Sequence, residues 1–178
     1  VERNLDALIE RMYQVRPSHV FLQAFADPDG DGAADALYFP NRHLPMRADL
    51  FNRVAWQLAT RAQVQVHAWL PVLAFEPADA EALALPGRDR DEVFRLDPTN
   101  PAVRRLVAEI YEDLAIASPI AGLHFHDDAL LREGELPALS PGDPAARTAY
   151  LVDFTRELHR AAERWRPKLA TSRNLFAR

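Results

Sequence analysis

The chain contains no cysteine, which removes disulfides, thiolate metal sites and a cysteine nucleophile together. Glycine is scarce, with six in 178 residues, and none falls into a G-x-G-x-x-G or P-loop pattern; a G-x-S-x-G elbow is also absent. These absences argue against nucleotide binding and serine-hydrolase chemistry. The six histidines show no H-E-x-x-H spacing, so zinc-protease chemistry has no support, and the H-F-H of residues 124–126 is a weak metal signal. No apolar run approaches the ~20 residues a membrane-spanning helix needs. Val1-Glu2-Arg3-Asn4 does not open a signal peptide, so any export signal is expected outside this segment. Basic residues are outnumbered by acidic ones, 21 to 26, for a formal charge of −5. A general nucleic-acid binder would carry a basic face, whereas a mildly acidic surface suits neutral or cationic ligands.

What is present is the composition of a folded domain: 48% hydrophobic and 26% charged residues, enough to bury a core. The chain opens without Met and directly in a helical pattern, which suggests a single segment, 1–178, cut from a larger protein. Four helix-then-strand units can be read. Leu5, Leu8, Ile9 and Met12 repeat at helical spacing up to Pro17, before the strand His19 to Phe25. Asp49 is placed to cap a helix with Phe51, Val54, Ala55 and Leu58 inward, before Val64 to Leu70. Asn100 and Pro101 form an N-cap and first-turn pair for a helix lined by Val103, Leu106, Val107, Ile110 and Leu114; the strand Ile120 to His126 follows. Asp143-Pro144 opens a fourth helix with Leu151, Phe154, Leu158 and Trp165 on one side, and Lys168 to Ser172 is its strand.

Such alternation predicts an α/β protein with a parallel sheet and right-handed crossovers. Four units make either a small doubly wound sheet or half of a (β/α)₈ barrel, and the pattern alone does not separate them. An opening helix with no strand before Asn4 and an abrupt end at Arg178 favour the half barrel, with its first and last strands absent. The segments after the strands, Ala26 to Ala48 and Pro71 to Asn100, are long for a compact domain and so candidates for function. The Pro-rich stretch Leu136 to Pro144 reads as a loop.

The most informative segment is Gly122-Leu123-His124-Phe125-His126-Asp127-Asp128, a strand that ends in two adjacent carboxylates. In parallel α/β folds the strands' C-terminal ends form the rim where chemistry occurs. Alternation along an extended strand places His124, His126 and Asp128 on one face and Leu123 and Phe125 against the helices. One carboxyl whose proton affinity is raised by its neighbour's charge can act as general acid while the other stays ionised. The competing expectation is that one acid caps the next helix and the other is merely solvated.

Elsewhere, Asp27-Pro28-Asp29-Gly30-Asp31-Gly32 begins like a calcium loop, but Tyr38 stands where the bidentate Glu belongs and a strand precedes it. We expect these acids to shape the turn and make one wall of a groove electronegative rather than to bind a metal. His43 and His67 are expected to be structural. Trp69, at a strand end, can stack on a sugar or fill the core. Arg173 and Asn174 can serve as ligand donors or simply end their strand.

Several stretches resemble one family closely: LQAFADPDGDG (Leu22 to Gly32), LYFPNRHLPMRADLFNRVAWQL (Leu37 to Leu58), HAWLPVL (His67 to Leu73), YEDLA (Tyr111 to Ala115), FHDDALL (Phe125 to Leu131) and SRNLFA (Ser172 to Ala177). The family is the C-terminal domain of the bacterial poly-β-1,6-N-acetylglucosamine N-deacetylases of the biofilm-export system. The resemblance implies a (β/α)₈ TIM-type glycoside hydrolase domain that binds and cuts partially de-N-acetylated poly-β-1,6-glucosamine in the periplasm, without a cofactor. It implies as partners that polysaccharide and a separate N-terminal deacetylase domain, which nothing here matches. It carries Asp127 and Asp128 over as the catalytic acidic centre, with Phe25, Asp27, Tyr38, Trp69, His126 and Asn174 lining the groove. It does not say which Asp gives the proton; alternation favours Asp128. The stretch between Asp128 and Tyr150 is shorter than the family implies. Glucosamine is cationic near neutral pH, so an acidic, aromatic-edged groove would select deacetylated units. A carbohydrate-binding or export-guiding module with little turnover would use the same groove, and is the alternative.

Overall fold

In a computed structural model, residues 2–85, 93–132, 135 and 143–174 are described; most of the Pro-rich loop expected at Leu136 to Pro144 lies outside them. The element order is α1 (Glu2–Val15), β1 (His19–Gln23), β2 (Phe25–Ala26), β3 (Ala36–Leu37), α2 (Leu50–Arg61), β4 (Gln65–Leu70), α3 (Ala80–Leu83), α4 (Pro101–Ala117), β5 (Gly122–Phe125), α5 (Pro144–Glu163) and β6 (Ala170–Arg173). The four predicted strands form one parallel sheet in the order β1-β4-β5-β6. Spatial order therefore follows chain order with no reversal. A doubly wound sheet must reverse its direction of growth once. Right-handed crossovers that all step the same way put every helix on one face, as in a (β/α) barrel wall.

The register confirms the two faces. Ala68 and Leu70 align with Leu123 and Phe125, and with Val66, next to Val20 of β1, they are buried under the helices. Phe51, Ala55 and Leu58 of α2 and Val103, Leu106, Val107, Ile110 and Leu114 of α4 are buried, as the spacing predicts. The other face carries His19, Phe21 and Gln23 on β1, His67 and Trp69 on β4, His124 on β5 and Ser172 on β6. Among the described residues nothing covers this face fully: Phe21 is 51% exposed. His67 lies on this face against Gly122, where an added Cβ would sit 2.3 Å from the imidazole. Neither ring nitrogen of His67 has a hydrogen-bond partner among the described residues. Burial, helped by His19 and His124, holds its pKa below the usual histidine value.

Three local expectations are corrected. Asn100 and Asp143 cap α4 and α5 by accepting from the amides of Ala102 and Ala145, but Asp49 makes no capping hydrogen bond to α2. Trp165 is not in the α5 stripe; it lies beyond the helix, 52% exposed, and donates to Glu112. The first strand stops at Gln23 rather than Phe25. The Ala24 carbonyl turns to accept from Tyr38 N–H (3.0 Å), and Phe25–Ala26 pairs instead with Ala36–Leu37 in a two-stranded antiparallel ribbon at the sheet's C-terminal end.

Candidate active site

The two adjacent aspartates have different surroundings. β5 ends at Phe125 and residues 127–128 form a turn, so the period-two alternation does not reach them. Asp128 is not turned into the groove. Its side chain is 3% exposed, and its carboxylate accepts from the backbone N–H groups of Val72 (3.0 Å), Leu73 (2.5 Å) and Ala74 (2.7 Å). Both oxygens are engaged as acceptors in a buried place, which leaves no geometry for giving a proton to a sugar. The alternation argument for Asp128 as donor is corrected on this ground.

Asp127 is exposed. Asn174, just after β6, donates its amide N–H to Asp127 Oδ1 at 2.8 Å. Asp127 lines a cleft of about 180 Å³ together with Gly32, Val93, Arg95, His126, Asp128, Leu130 and Arg132. His126 stacks on Trp69 (centroids 5.3 Å apart, planes at 26°) and meets the edge of Phe25 at 5.6 Å. Among the described residues, Trp69 Nε1 and His126 Nδ1 are buried without a hydrogen-bond partner, although His126 Nδ1 faces Asp128 Oδ1 at 3.6 Å. An orphan such as the Trp69 indole N–H is uncommon in native proteins and suits a site that a polar ligand completes.

Phe25, Trp69, His126, Asp127 and Asn174 are thus brought together, while Asp27 and Tyr38 are placed differently. Asp27 uses its carboxylate to accept from the amides of Gly30 (2.7 Å) and Gly32 (3.0 Å). Both glycines have positive φ, +79° and +93°, so the acid shapes its own turn. Asp27, Asp29 and Asp35 bring one carboxylate oxygen each within 4.8 Å of one another. Burial, then Asp29, Asp31 and Asp27, raise the pKa of Asp35. Tyr38 lines a different depression with Leu22, Gln23, Leu50, Phe51 and Val54.

Other expectations resolve structurally. His43 pairs with Glu109 on α4 at 2.6 Å. Arg173 donates to the Ala129 carbonyl (2.8 Å). Sequence reasoning passed over the residues that brace the rim. Buried Arg95 donates to the Leu130 carbonyl (2.9 Å) and pairs with Glu135. Tyr111, in the α4 interior, donates to the Pro71 carbonyl (2.9 Å). Its pKa is raised well above the usual tyrosine value by burial, then by Asp128. No sequence signal singles out Arg95; Tyr111, a hydroxyl in an otherwise apolar helix stripe, was detectable as a group needing a buried acceptor.

A parallel, singly wound sheet with an acidic strand end opening beside an aromatic cluster defines the glycoside-hydrolase type of partial TIM barrel. The chain belongs to the hypothetical glycosyl hydrolase family 13, whose profile matches residues 1–140. It is 39% identical over 210 aligned positions to the poly-β-1,6-N-acetyl-D-glucosamine N-deacetylase of Escherichia coli K12, covering 99% of this chain and 31% of that protein. The chain therefore spans about a third of that relative's length. The glycoside hydrolase domain of PgaB (BpsB) from Bordetella bronchiseptica superposes with a TM-score of 0.86 at 45% identity, covering 99% of this chain and 60% of that one. α-L-Fucosidase isoenzyme 2 from Paenibacillus thiaminolyticus shares the fold, with a TM-score of 0.63 at 16% identity over 96% of this chain and 29% of that one.

Proposed function

We propose that this chain forms the acid-bearing part of a glycosidase that binds and cleaves partially de-N-acetylated poly-β-1,6-N-acetylglucosamine, with Asp127 as the proton donor. The observation that carries this reading is the division of labour at the strand end: both acids reach the cleft, but Asp127 is exposed while the Asp128 carboxylate is buried against the amides of residues 72–74. Asp127 gives its proton to the glycosidic oxygen as the C1–O bond breaks, through an oxocarbenium-like transition state. Phe25, Trp69 and His126 supply the ring surface for sugar C–H groups, and the Trp69 indole N–H, which has no acceptor among the described residues, can donate to a sugar hydroxyl. Asp128 acts through the backbone, pinning residues 72–74. Two adjacent residues cannot flank one sugar from both faces, so the second group of the reaction comes from another strand or from the substrate's own acetamido group. By the same reading, the polymer is met in the periplasm, a deacetylase domain accompanies this one in the whole protein, and further barrel strands add to the open edges β1 and β6.

A binding or export-guiding role is favoured by one specific observation: the acidic pair offers only one accessible carboxylate. Asp127→Asn separates the readings. Oligosaccharide binding within about twofold of wild type, with product release lowered at least ~100-fold, supports the glycosidase. A wild-type protein that binds the oligomers and never cleaves them makes the domain a binding module.

A further inference from the structure

The turn that carries Asp127 is held from both sides. Toward β4, the Asp128 carboxylate takes the amides of residues 72–74. Toward β6, three consecutive side chains reach the end of β5 and the turn beyond it. Ser172 Oγ is 2.9 Å from His124 Nδ1 and donates to the Leu123 carbonyl at 3.4 Å. Arg173 donates to the Ala129 carbonyl at 2.8 Å. Asn174 donates its amide N–H to Asp127 Oδ1, also at 2.8 Å. An extended strand would send successive side chains to opposite faces. Here the ladder ends at the pair Phe125 and Arg173, and Arg173 and Asn174 both reach the segment 127–129. Among the described residues, Asp127 Oδ2 makes no hydrogen bond.

We infer that Arg173 and Asn174 are positioning residues for Asp127, bracing its turn and fixing which carboxyl oxygen carries the proton. The inference rests on the reading of Asp127 as proton donor. A protonated carboxyl has one oxygen that accepts and one that donates. With the Asn174 N–H on Oδ1, Oδ1 is the acceptor and the proton sits on Oδ2, the oxygen left for the glycosidic bond. As that proton leaves, Asp127 becomes an anion, and the bond from Asn174 becomes charge-assisted and stronger. Asn174 thus favours the transition state over the ground state, which raises kcat rather than lowering KM. Arg173 holds the backbone at Ala129, which keeps Oδ1 within reach of Asn174. The titratable and charged groups around Asp127 are His126 and Asp128 in its own turn, His124 on β5, Arg173 on β6, and Arg95 and Arg132 in the shared cleft. The Asp27 turn presents only Gly32 to that cleft, and β4 presents the uncharged Trp69, stacked on His126.

The test is steady-state cleavage of partially de-N-acetylated β-1,6-glucosamine oligomers across pH by the full protein. Its variants are Asp127→Asn, Asn174→Ala, Asn174→Asp, Arg173→Ala and Arg173→Lys. Asn174→Ala is expected to lower kcat about tenfold and Arg173→Ala about threefold, each with KM within about twofold of wild type. The alkaline limb of the profile should move up by ~0.5–1 pH unit in Asn174→Ala, because the carboxylate loses a donor that favours its ionised form. It should move further in Asn174→Asp, which keeps the side chain's shape and sets a second carboxylate against Oδ1. Arg173→Lys, which keeps a donor for the Ala129 carbonyl, should recover most of the rate. Wild-type kcat in either alanine variant overturns the brace, and so does a raised KM at unchanged kcat, which would make the residue a ligand of the sugar. If an alanine variant melts well below wild type, Asn174→Asp and Arg173→Lys decide. A wild-type alkaline limb in the first, or a rate in the second as low as that of Arg173→Ala, overturns the brace. Undiminished cleavage by Asp127→Asn, or none by the wild type, removes the donor reading and the brace with it. An inactive Asp127→Asn beside an unaltered Asn174→Ala overturns the brace alone.

Discussion

Asp128 illustrates how a single side chain can hold a site it does not enter. A buried carboxylate receiving three amide N–H groups satisfies donors that would otherwise be stranded away from water, at about 1–3 kcal/mol for each one left unpaired. Asp128→Ala should therefore destabilise the fold by about 3 kcal/mol or more. Asp128→Asn, which keeps one acceptor oxygen, should cost less, and urea denaturation would order the two. A second residue-scale prediction concerns Gly122. An alanine Cβ there would lie 2.3 Å from His67 Nδ1 and 3.0 Å from the Ala170 carbonyl, so either the imidazole or β6 must move. Overpacking of this kind costs about 1–3 kcal/mol, and the same denaturation experiment reads it. His67 also makes stability depend on pH. Its folded pKa is lowered by burial, so the folded state disfavours the proton that the unfolded chain accepts. The contribution is fully present above about 6.5, the unfolded value, and is lost as pH falls below it toward the lowered folded pKa. Melting temperature should decline between pH 7 and 5, and decline less in His67→Gln.

At the scale of elements, the helices were readable wherever local chemistry was sufficient. Asn100 followed by Pro101 caps α4 as its residue types require, with Ala102 N–H bonded to Asn100 Oδ1 at 2.9 Å. Asn100→Ala should lower stability by about 1 kcal/mol. Asp49, of an equally suitable type, makes no such bond; its backbone, at φ −79° and ψ 63°, does not aim the carboxylate at the first-turn amides. Residue type proposes a cap and backbone direction decides it. The rim shows the same division. Phe25 carries a strand-forming side chain and was read as part of β1, yet Ala24 diverts the chain into the ribbon with Ala36–Leu37. That diversion brings Phe25 edge-on to Trp69 at 6.4 Å. Tyr38, on the ribbon's return, goes to another depression. No periodicity reports where a chain leaves one sheet for another, because that depends on partners far away in sequence.

At the scale of the molecule, the proposed function gives the net charge of −5 and the exposed Asp127 a role: they would draw in protonated glucosamine units electrostatically. Exposed charges are screened over ~10 Å at 0.1 M salt. Affinity for deacetylated oligomers should accordingly fall several-fold between 50 and 500 mM NaCl, while a fully acetylated oligomer, lacking the cation, should respond little. Titration of both oligomers at the two salt concentrations checks this.

The amino-acid sequence determined by itself the alternation of helices and strands, the apolar face each helix buries, and the place in the chain where acids meet a strand end. Those features depend on residue spacing of two or three to four and on caps a few positions away, so neighbours suffice to specify them. It did not determine which aspartate faces the cleft, that Asp27 is consumed by its own turn, or that Asn174 reaches Asp127 across 47 positions. Only the tertiary structure decided these, because a side chain's direction beyond the end of a strand follows from which distant amides need an acceptor, and those donors are assembled by folding.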